Sequence, residues 1–311
     1  MKKYCFGIDV GGTTVKCGFF DVEGNLLDKW EIKTHTENNG EKILPDVAKT
    51  VLDKIAEKGI DKAEVAGIGI GVPGPVKGDG IVEMAVNLHW GYKDIAKEME
   101  ELTGLPAKAG NDANVAALGE MWRGGGAGSN SLVMVTLGTG VGGGIIMNGK
   151  IVSGAHGAAG EIGHMYCGAK VSSPCNCGCT GCLEQVASAT GIAYLAREEM
   201  KVNHTPTMLN PNYVSAKTVF DAYKENDEVA TIVVNRFAEY LGTALARIAC
   251  VTDPDVFVIG GGVSKAGQVL VECVEKYYKE KTFSSIKNTP IVLAKLGNDA
   301  GIYGSARLVL D

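Results

Sequence analysis

The sequence predicts an α/β protein built from two domains, and three observations carry the prediction. At 311 residues the chain is longer than one ordinary domain needs. Short glycine-, valine- and isoleucine-rich strand runs are interleaved with helices of regular apolar spacing. The second half also opens as the first does, with a strand, a Gly/Thr-rich turn, a strand, a turn and a third strand, followed by helices. The glycine-rich run Gly124–Asn130 reads as a flexible, polar linker between the halves. We expect a smaller α/β domain over residues 1–122 and a larger one over 123–298 that carries the cysteine-rich segment. The final helix, 299–311, is expected to pack back on the smaller domain.

Along the first half, Lys3–Val10 is a strand running into Gly11-Gly12, and Val15–Phe20 is a second. Glu23-Gly24-Asn25 turns the chain into a third that ends near Thr34. A helix follows from about Glu41 to Lys58, with Gly59 as its stop signal. Val65–Val72 reads as a buried strand closed by Pro73-Gly74-Pro75. Asp94–Leu102 reads as a helix, Ala107–Gly110 as a strand and Ala113–Met121 as a helix. In the second half Leu132–Leu137 and Val141–Met147 are strands around Gly138-Thr139-Gly140, and Asn148-Gly149 signals a hairpin into a third. A long helix spans about Glu228 to Cys250. A buried strand at Asp255–Ile259, a helix, a strand at Pro290–Ala294 and a closing helix complete the chain.

Composition narrows the function classes. Hydrophobic content of 45% and charge content of 21% are those of a globular protein. The net charge of −6, with no basic run, argues against nucleic acid as a partner. No apolar run approaches the roughly eighteen residues of a membrane span, and no signal peptide precedes Asp9, so a cytoplasmic location is expected. In that reducing compartment a disulfide framework is a poor reading of nine cysteines, an odd number.

Four of the cysteines fall between Cys175 and Cys182, with ten residues separating His164 from the first of them. A histidine followed by cysteines at such gaps can close a tetrahedron of N and S ligands around zinc. Two carboxylates, Glu161 and Glu184, bracket the knot, although a purely structural zinc site does not need them. Asp9-Val10-Gly11-Gly12-Thr13-Thr14 joins two strands, so backbone N–H groups and Thr hydroxyls can face an anion while Asp9 holds a metal-bound water. Taken alone, an ordinary hairpin turn reads the same way. Gly138-Thr139-Gly140-Val141-Gly142-Gly143-Gly144 contains a formal G-x-G-x-x-G, but it leads into a strand and not a helix, which excludes a dinucleotide fingerprint. Gly261 and Gly262 lie between a buried strand and a helix, a place that would suit close approach to a nucleotide and that a plain strand-to-helix turn fits equally well. In Gly110-Asn111-Asp112-Ala113-Asn114 the bland reading is a helix cap. Beside two phosphate-type turns, Asp112 becomes the candidate general base.

Two Gly/Thr hairpins, one heading each half, are how the actin-like (ribonuclease H-like) ATPase and sugar-kinase fold grips phosphates in a cleft between its domains. The chain resembles the ROK family (repressors, open reading frames, sugar kinases), most closely its bacterial ATP-dependent glucokinases, over essentially its whole length. The motifs that carry the resemblance are Asp9–Thr14, Gly71-Val72-Pro73-Gly74-Pro75-Val76, Asn111-Asp112-Ala113-Asn114, Leu137–Gly144, Gly160-Glu161-Ile162-Gly163-His164 and Cys175-x-Cys177-Gly178-x-x-Gly181-Cys182-Leu183-Glu184. The resemblance implies a structural Zn²⁺ on His164, Cys175, Cys177 and Cys182. It implies Mg-ATP at Asp9, Gly11, Gly12, Thr13, Thr14, Gly138, Thr139, Gly140, Gly261 and Gly262. A hexose would be held by Gly71, Asn87, Asn111, Asp112, Glu161, His164 and Glu184, with Asp112 as the base that activates the 6-hydroxyl of glucose. A homodimer is implied too. Cys179 departs from the motif; it could replace a neighbouring ligand, but the spacing favours a free thiol, and Cys167 stays open as a ligand. N-acetylmannosamine, N-acetylglucosamine or fructose are alternative substrates. A sugar-responsive repressor is the alternative of another class, disfavoured by the charge and by the Asp9 turn lying almost at the N-terminus.

Overall fold

The computed structural model describes residues 1–77, 80–202 and 204–310. It opens with an antiparallel meander of β1 (Tyr4–Val10), β2 (Thr14–Asp21) and β3 (Leu26–Lys33). Helix α1 (Ile43–Glu57) leads to β4 (Val65–Val72), which lies parallel to β1. A two-stranded ribbon of β5 (Ile81–Val82) and β6 (Lys93–Asp94) precedes α2 (Ile95–Thr103), β7 (Ala107–Asn111) and α3 (Asp112–Arg123). The resulting five-stranded sheet has the order β3-β2-β1-β4-β7. The chain continues through β8 (Leu132–Leu137), β9 (Val141–Met147), β10 (Lys150–Ile151), α4 (Glu184–Ala187), α5 (Ala189–Val202), α6 (Ala216–Lys224) and α7 (Glu228–Thr252). It ends with β11 (Val256–Gly260), α8 (Gln268–Lys281), β12 (Ile291–Leu293) and α9 (Ala300–Leu308). The second sheet has the order β10-β9-β8-β11-β12, with β8 and β12 each parallel to β11.

Burial explains the sequence texture. β4 and β11 are buried nearly end to end and read as unbroken apolar runs, as strands covered on both faces do. β3 is an edge strand, and its exposed Lys29, Glu31 and Lys33 alternate with the half-buried Trp30 and Ile32. Phe6, Ile8, Ile68 and Ile70 pack with Leu44, Val47 and Val51 of α1 in one core. On the other sheet the rings of Phe257 and Tyr278 meet edge-on at 5.7 Å.

The residues group into two compact units, one comprising 1–130, 144–160 and 295–311, the other 131–143 and 161–294. Position 311, the last of the expected closing helix, lies outside the described residues. Residues 144–160, which the sequence places with the larger domain, belong to the first unit. Gly144 supplies a reason, because a Cβ there would lie 2.7 Å from both the Ala113 carbonyl oxygen and the Ala117 Cβ. Helix α9 packs against β1, β4 and α3.

The expected flexible linker is instead a series of hydrogen-bonded turns. Glu120, fully buried in α3, accepts from the backbone N–H groups of Gly125, Lys295 and Leu296 at 2.6–3.1 Å. Those bonds satisfy a buried carboxylate that has no cationic partner among the described residues, and they fix the glycine run to the end of the helix. No described helix is long and apolar enough to cross a membrane.

Candidate active site and metal centre

In the first unit, the turn after β1 closes by a bond from the Gly11 N–H to the Thr14 carbonyl, 3.0 Å. Thr34, at the end of β3, ties it down: its N–H donates to the Thr13 carbonyl and its hydroxyl to the Gly11 carbonyl. Gly12 and Thr13 are exposed, and Asn87 lies beside them, its carbonyl 3.5 Å from where a Gly12 Cβ would stand. Asp9 sits half-buried at the end of β1. Burial pushes its pKa up to about 6; Lys16, its cross-strand partner, opposes the shift and the charge of Asp112 adds to it. A carboxyl that burial drives toward its neutral form is one that a divalent cation returns to the ionised form. The oxygen donors match those magnesium takes beside nucleotide phosphates.

The two readings of Asn111-Asp112 divide between the two residues. Asn111 is the N-cap of α3: its Oδ1 accepts from the N–H groups of Ala113 and Asn114 at 3.0 and 3.1 Å. Its Nδ2 donates to the Gly74 carbonyl and to Asp112 Oδ1, both at 3.0 Å. Both lone pairs and both hydrogens of the amide are engaged within the protein. Asp112, the first helical residue, is exposed, and its Oδ1 also accepts from the Ala113 N–H. Gly71 is buried under Val115 and Ser305, and it leads to the Pro73–Pro75 loop that Asn111 grips.

In the second unit, Gly138 donates its N–H to the Gly140 carbonyl. Support for this turn comes from the start of α5, where the Ala189 N–H donates to the Gly138 carbonyl and the Thr190 hydroxyl to the Thr139 carbonyl. Glu184 opens α4 beside the same turn, with its Oε2 3.4 Å from the Val141 nitrogen. A Cβ on Gly140 would stand 2.4 Å from that oxygen, so the glycine makes room for the carboxylate.

The other oxygen of Glu184 reaches the cysteine knot. Cys175 donates its thiol to Oε1 at 2.9 Å, and His164 Nδ1 lies 3.9 Å from the same atom. One ligand atom each from His164, Cys175, Cys177 and Cys182 gathers within 4.8 Å of the others. Zn–S bonds of about 2.3 Å and Zn–N bonds of about 2.0–2.1 Å imply tetrahedral edges of about 3.8 Å between sulfurs and about 3.6 Å between nitrogen and sulfur. Cys177 and Cys182 stand 3.6 Å apart, and His164 Nδ1 is 3.6 Å from Cys175. The donor set and its edges therefore fit zinc. Among the described residues neither Cys179 nor Cys167 joins that group. Cys179 contributes through its backbone: its carbonyl accepts from the Cys175 N–H, and its own N–H is the main influence lowering the Cys177 thiol to about 7. Glu161 is exposed at the head of the short turn Ile162–His164 that presents the histidine. Gly261 and Gly262 are exposed after β11. Gly262 borders a largely apolar cavity of about 340 Å³ lined also by Ala189, Ala216, Phe220, Val263 and Lys265.

Two contributors escaped the sequence reading. Gly301 of α9 faces Asp9, and Glu120 fastens the far end of the helix that Asp112 begins. Neither belongs to a local motif, because each works through partners more than 170 positions away.

Comparison with known proteins sets these features in context. The ROK family model matches residues 5–311. A glucokinase of Halalkalibacterium halodurans is 42% identical, over 99% of this chain and 95% of its own length. Among solved structures, a ROK hexokinase from Thermus thermophilus aligns with a TM-score of 0.79 at 30% identity, covering 97% of this chain and 96% of that one. A ROK family glucokinase from Streptomyces griseus, solved in complex with glucose and AMPPNP, gives a TM-score of 0.71 at 30% identity over 98% of each chain. The expected two-domain actin-like sugar-kinase fold is the fold of this chain. With a family match over almost every residue and a relative at that level of identity, the chain belongs to the ROK family.

Proposed function

We propose that the chain is an ATP-dependent glucokinase: it transfers the γ-phosphoryl group of Mg-ATP to the 6-hydroxyl of glucose, giving glucose 6-phosphate and ADP at the entry to glycolysis. The observation that carries the mechanism is the division of labour at the head of α3. Asn111 takes over the capping, and Asp112 remains an exposed carboxylate oriented by Asn111 and the Ala113 N–H. Similarity to glucokinases, one of them crystallised with glucose and an ATP analogue, supports the choice of substrates.

Phosphoryl transfer needs positioning and charge neutralisation more than covalent chemistry. Asp112 accepts the proton of the attacking hydroxyl, a role worth about 10²–10⁴-fold in rate. Asn111 acts through Asp112, and Asn87 and the loop after Gly71 border the sugar on the same unit. The Gly11–Thr14 and Gly138–Gly140 turns direct N–H groups and Thr hydroxyls at the phosphates, and the cavity beside Gly262 accepts the nucleoside. Magnesium, when bound with the nucleotide near Asp9, neutralises phosphate charge. Zinc on His164, Cys175, Cys177 and Cys182 has four protein ligands and no open position, so its role is structural. With Nδ1 toward the sulfurs, the Nε2–H of His164 is the group left to donate to a sugar hydroxyl. Glu161 and Glu184 accept from hydroxyls. We also propose a cytoplasmic homodimer.

A coupled assay across glucose, mannose, fructose and the N-acetylhexosamines tests this reading. Glucose is expected to give the highest kcat/KM. A higher value for another hexose would move the substrate assignment, and no turnover with any of them would overturn the reading. Sedimentation analysis tests the dimer.

A further inference from the structure

Gly301 is the second residue of α9, and it lies against the carboxyl of Asp9. A Cβ built there would stand 2.6 Å from both Asp9 Cγ and Oδ2, and 3.1 Å from Asp9 Cβ. Real Cβ atoms do not approach other heavy atoms so closely, so Asp9 occupies the space an alanine would need. The helix cannot retreat to relieve the clash. On one side Gly7 and Gly69 meet the carbonyls of Ile302 and Ser305, where added Cβ atoms would lie at 1.9 and 1.6 Å. On the other, Gly304 lies against the Val115 carbonyl, with a hypothetical Cβ at 1.5 Å, and Gly119 against that of Ala300, at 2.4 Å. The helix is thus wedged between the sheet and α3 at backbone contact distance. The segment before it is tied down as well, because Lys16, paired with Asp9 across the strands, donates to the Asn298 carbonyl at 3.1 Å.

We propose that Gly301 is a positioning residue: its missing side chain forms the slot that holds the Asp9 carboxyl in the orientation from which it serves the magnesium of the nucleotide. The slot is a property of the first unit alone, and its part in catalysis rests on the kinase reading above. A larger residue would displace the carboxyl, because the carboxyl is the one element of the contact free to rotate.

The test is a cycle of Gly301→Ala, Asp9→Ala and the double variant. In ligand-free protein, Gly301→Ala is expected to lower Tm by about 2–4 °C in the wild-type background. In the Asp9→Ala background the same change should cost clearly less, because the two contacts at 2.6 Å are gone and only the Cβ of residue 9, at 3.1 Å, remains in its way. In turnover, Gly301→Ala should shift the magnesium activation curve to higher concentration and lower kcat by about 10²-fold, the scale of a misplacement of about 1 Å. The KM for glucose should stay near the wild-type value. Equal Tm losses in both backgrounds, failure to fold in both, or an unchanged magnesium curve would overturn the proposal. A wild type inactive on every hexose would overturn the kinase reading instead, and the Tm cycle would still decide whether the slot exists.

Discussion

The turn at Gly11–Thr14 is held by residues of the first 34 positions, through Thr34 and the turn's own Gly11–Thr14 bond. The turn at Gly138–Gly140 is held from about fifty residues downstream, by Ala189, Thr190 and Glu184. The carboxylates beside them differ in the same way. Asp9 is part of the strand that enters its turn, whereas Glu184 reaches its turn from the end of a cysteine knot, with one oxygen on Cys175. Two turns of similar composition are therefore supported by different physics. The first rests on hydrogen bonds within its own meander. The second rests on the starts of α4 and α5, which follow a segment with little regular structure of its own that four metal-ligand side chains can organise.

Substitutions on the two sides should separate these supports. The largest effect is expected at Asp112. Asp112→Asn should lower kcat by about 10²–10⁴-fold with little change in glucose affinity by calorimetry, and wild-type-like turnover would sink the base assignment.

Asp9→Asn should cut activity and yet stabilise the ligand-free protein above pH 6. The pKa of Asp9 is raised in the folded state to about 6 from the unfolded 3.8, so the folded protein holds the proton more tightly. Its contribution to stability is fully present below pH 3.8 and is lost as pH rises through 6. At pH 7 the wild type bears a penalty of up to about 3 kcal/mol that the asparagine removes. Urea melts of both proteins at pH 4, 5, 6 and 7 would reveal it; parallel pH profiles would contradict the assignment.

On the other side, Glu184→Gln removes a charged partner from the metal ligands. It should weaken zinc binding by about 10–100-fold in a chelator competition, as loss of a partner just outside the ligand shell does. Thr13 and Thr34 should be untouched. The smallest effect is expected at Cys179. Cys179→Ser should leave zinc content at one per chain and stability within about 0.5 kcal/mol, since the sulfur stands outside the ligand group. Loss of zinc in that variant would return Cys179 to the ligand set.

Much of this was legible in the sequence where the signal is local. The opening meander, the buried runs of β4 and β11 and the glycine turns follow from alternation, apolar content and turn chemistry within a few residues. That the cysteine-rich segment suits a metal was legible from the spacing, while the choice of Cys175, Cys177 and Cys182 over Cys179 and Cys167 came from the family resemblance. The contact between Gly301 and Asp9 was not, since a glycine inside a helix reads only as a weak helix former. Glu120 reads as one more charged residue of α3 until its carboxylate is found on the N–H groups of Lys295 and Leu296. The turns of the glycine run after α3 were not legible for the same reason, because that buried carboxylate accepts from the Gly125 N–H. Helix α4 spans only Glu184–Ala187 and is too short to carry a local pattern, whereas the capping box of Ser215 and Thr218 at the head of α6 is a local signal that the sequence reading passed over.

Amide hydrogen exchange with and without a zinc chelator tests the contrast between the two turns most directly, because it reads each turn's own hydrogen bonds. Metal removal should strip protection from the Leu183 and Ala189 N–H groups, which donate to Met165 and Gly138, and leave Gly11 and Thr34 protected. Unchanged protection at Leu183 and Ala189, or an equal loss at Thr34, would contradict the account.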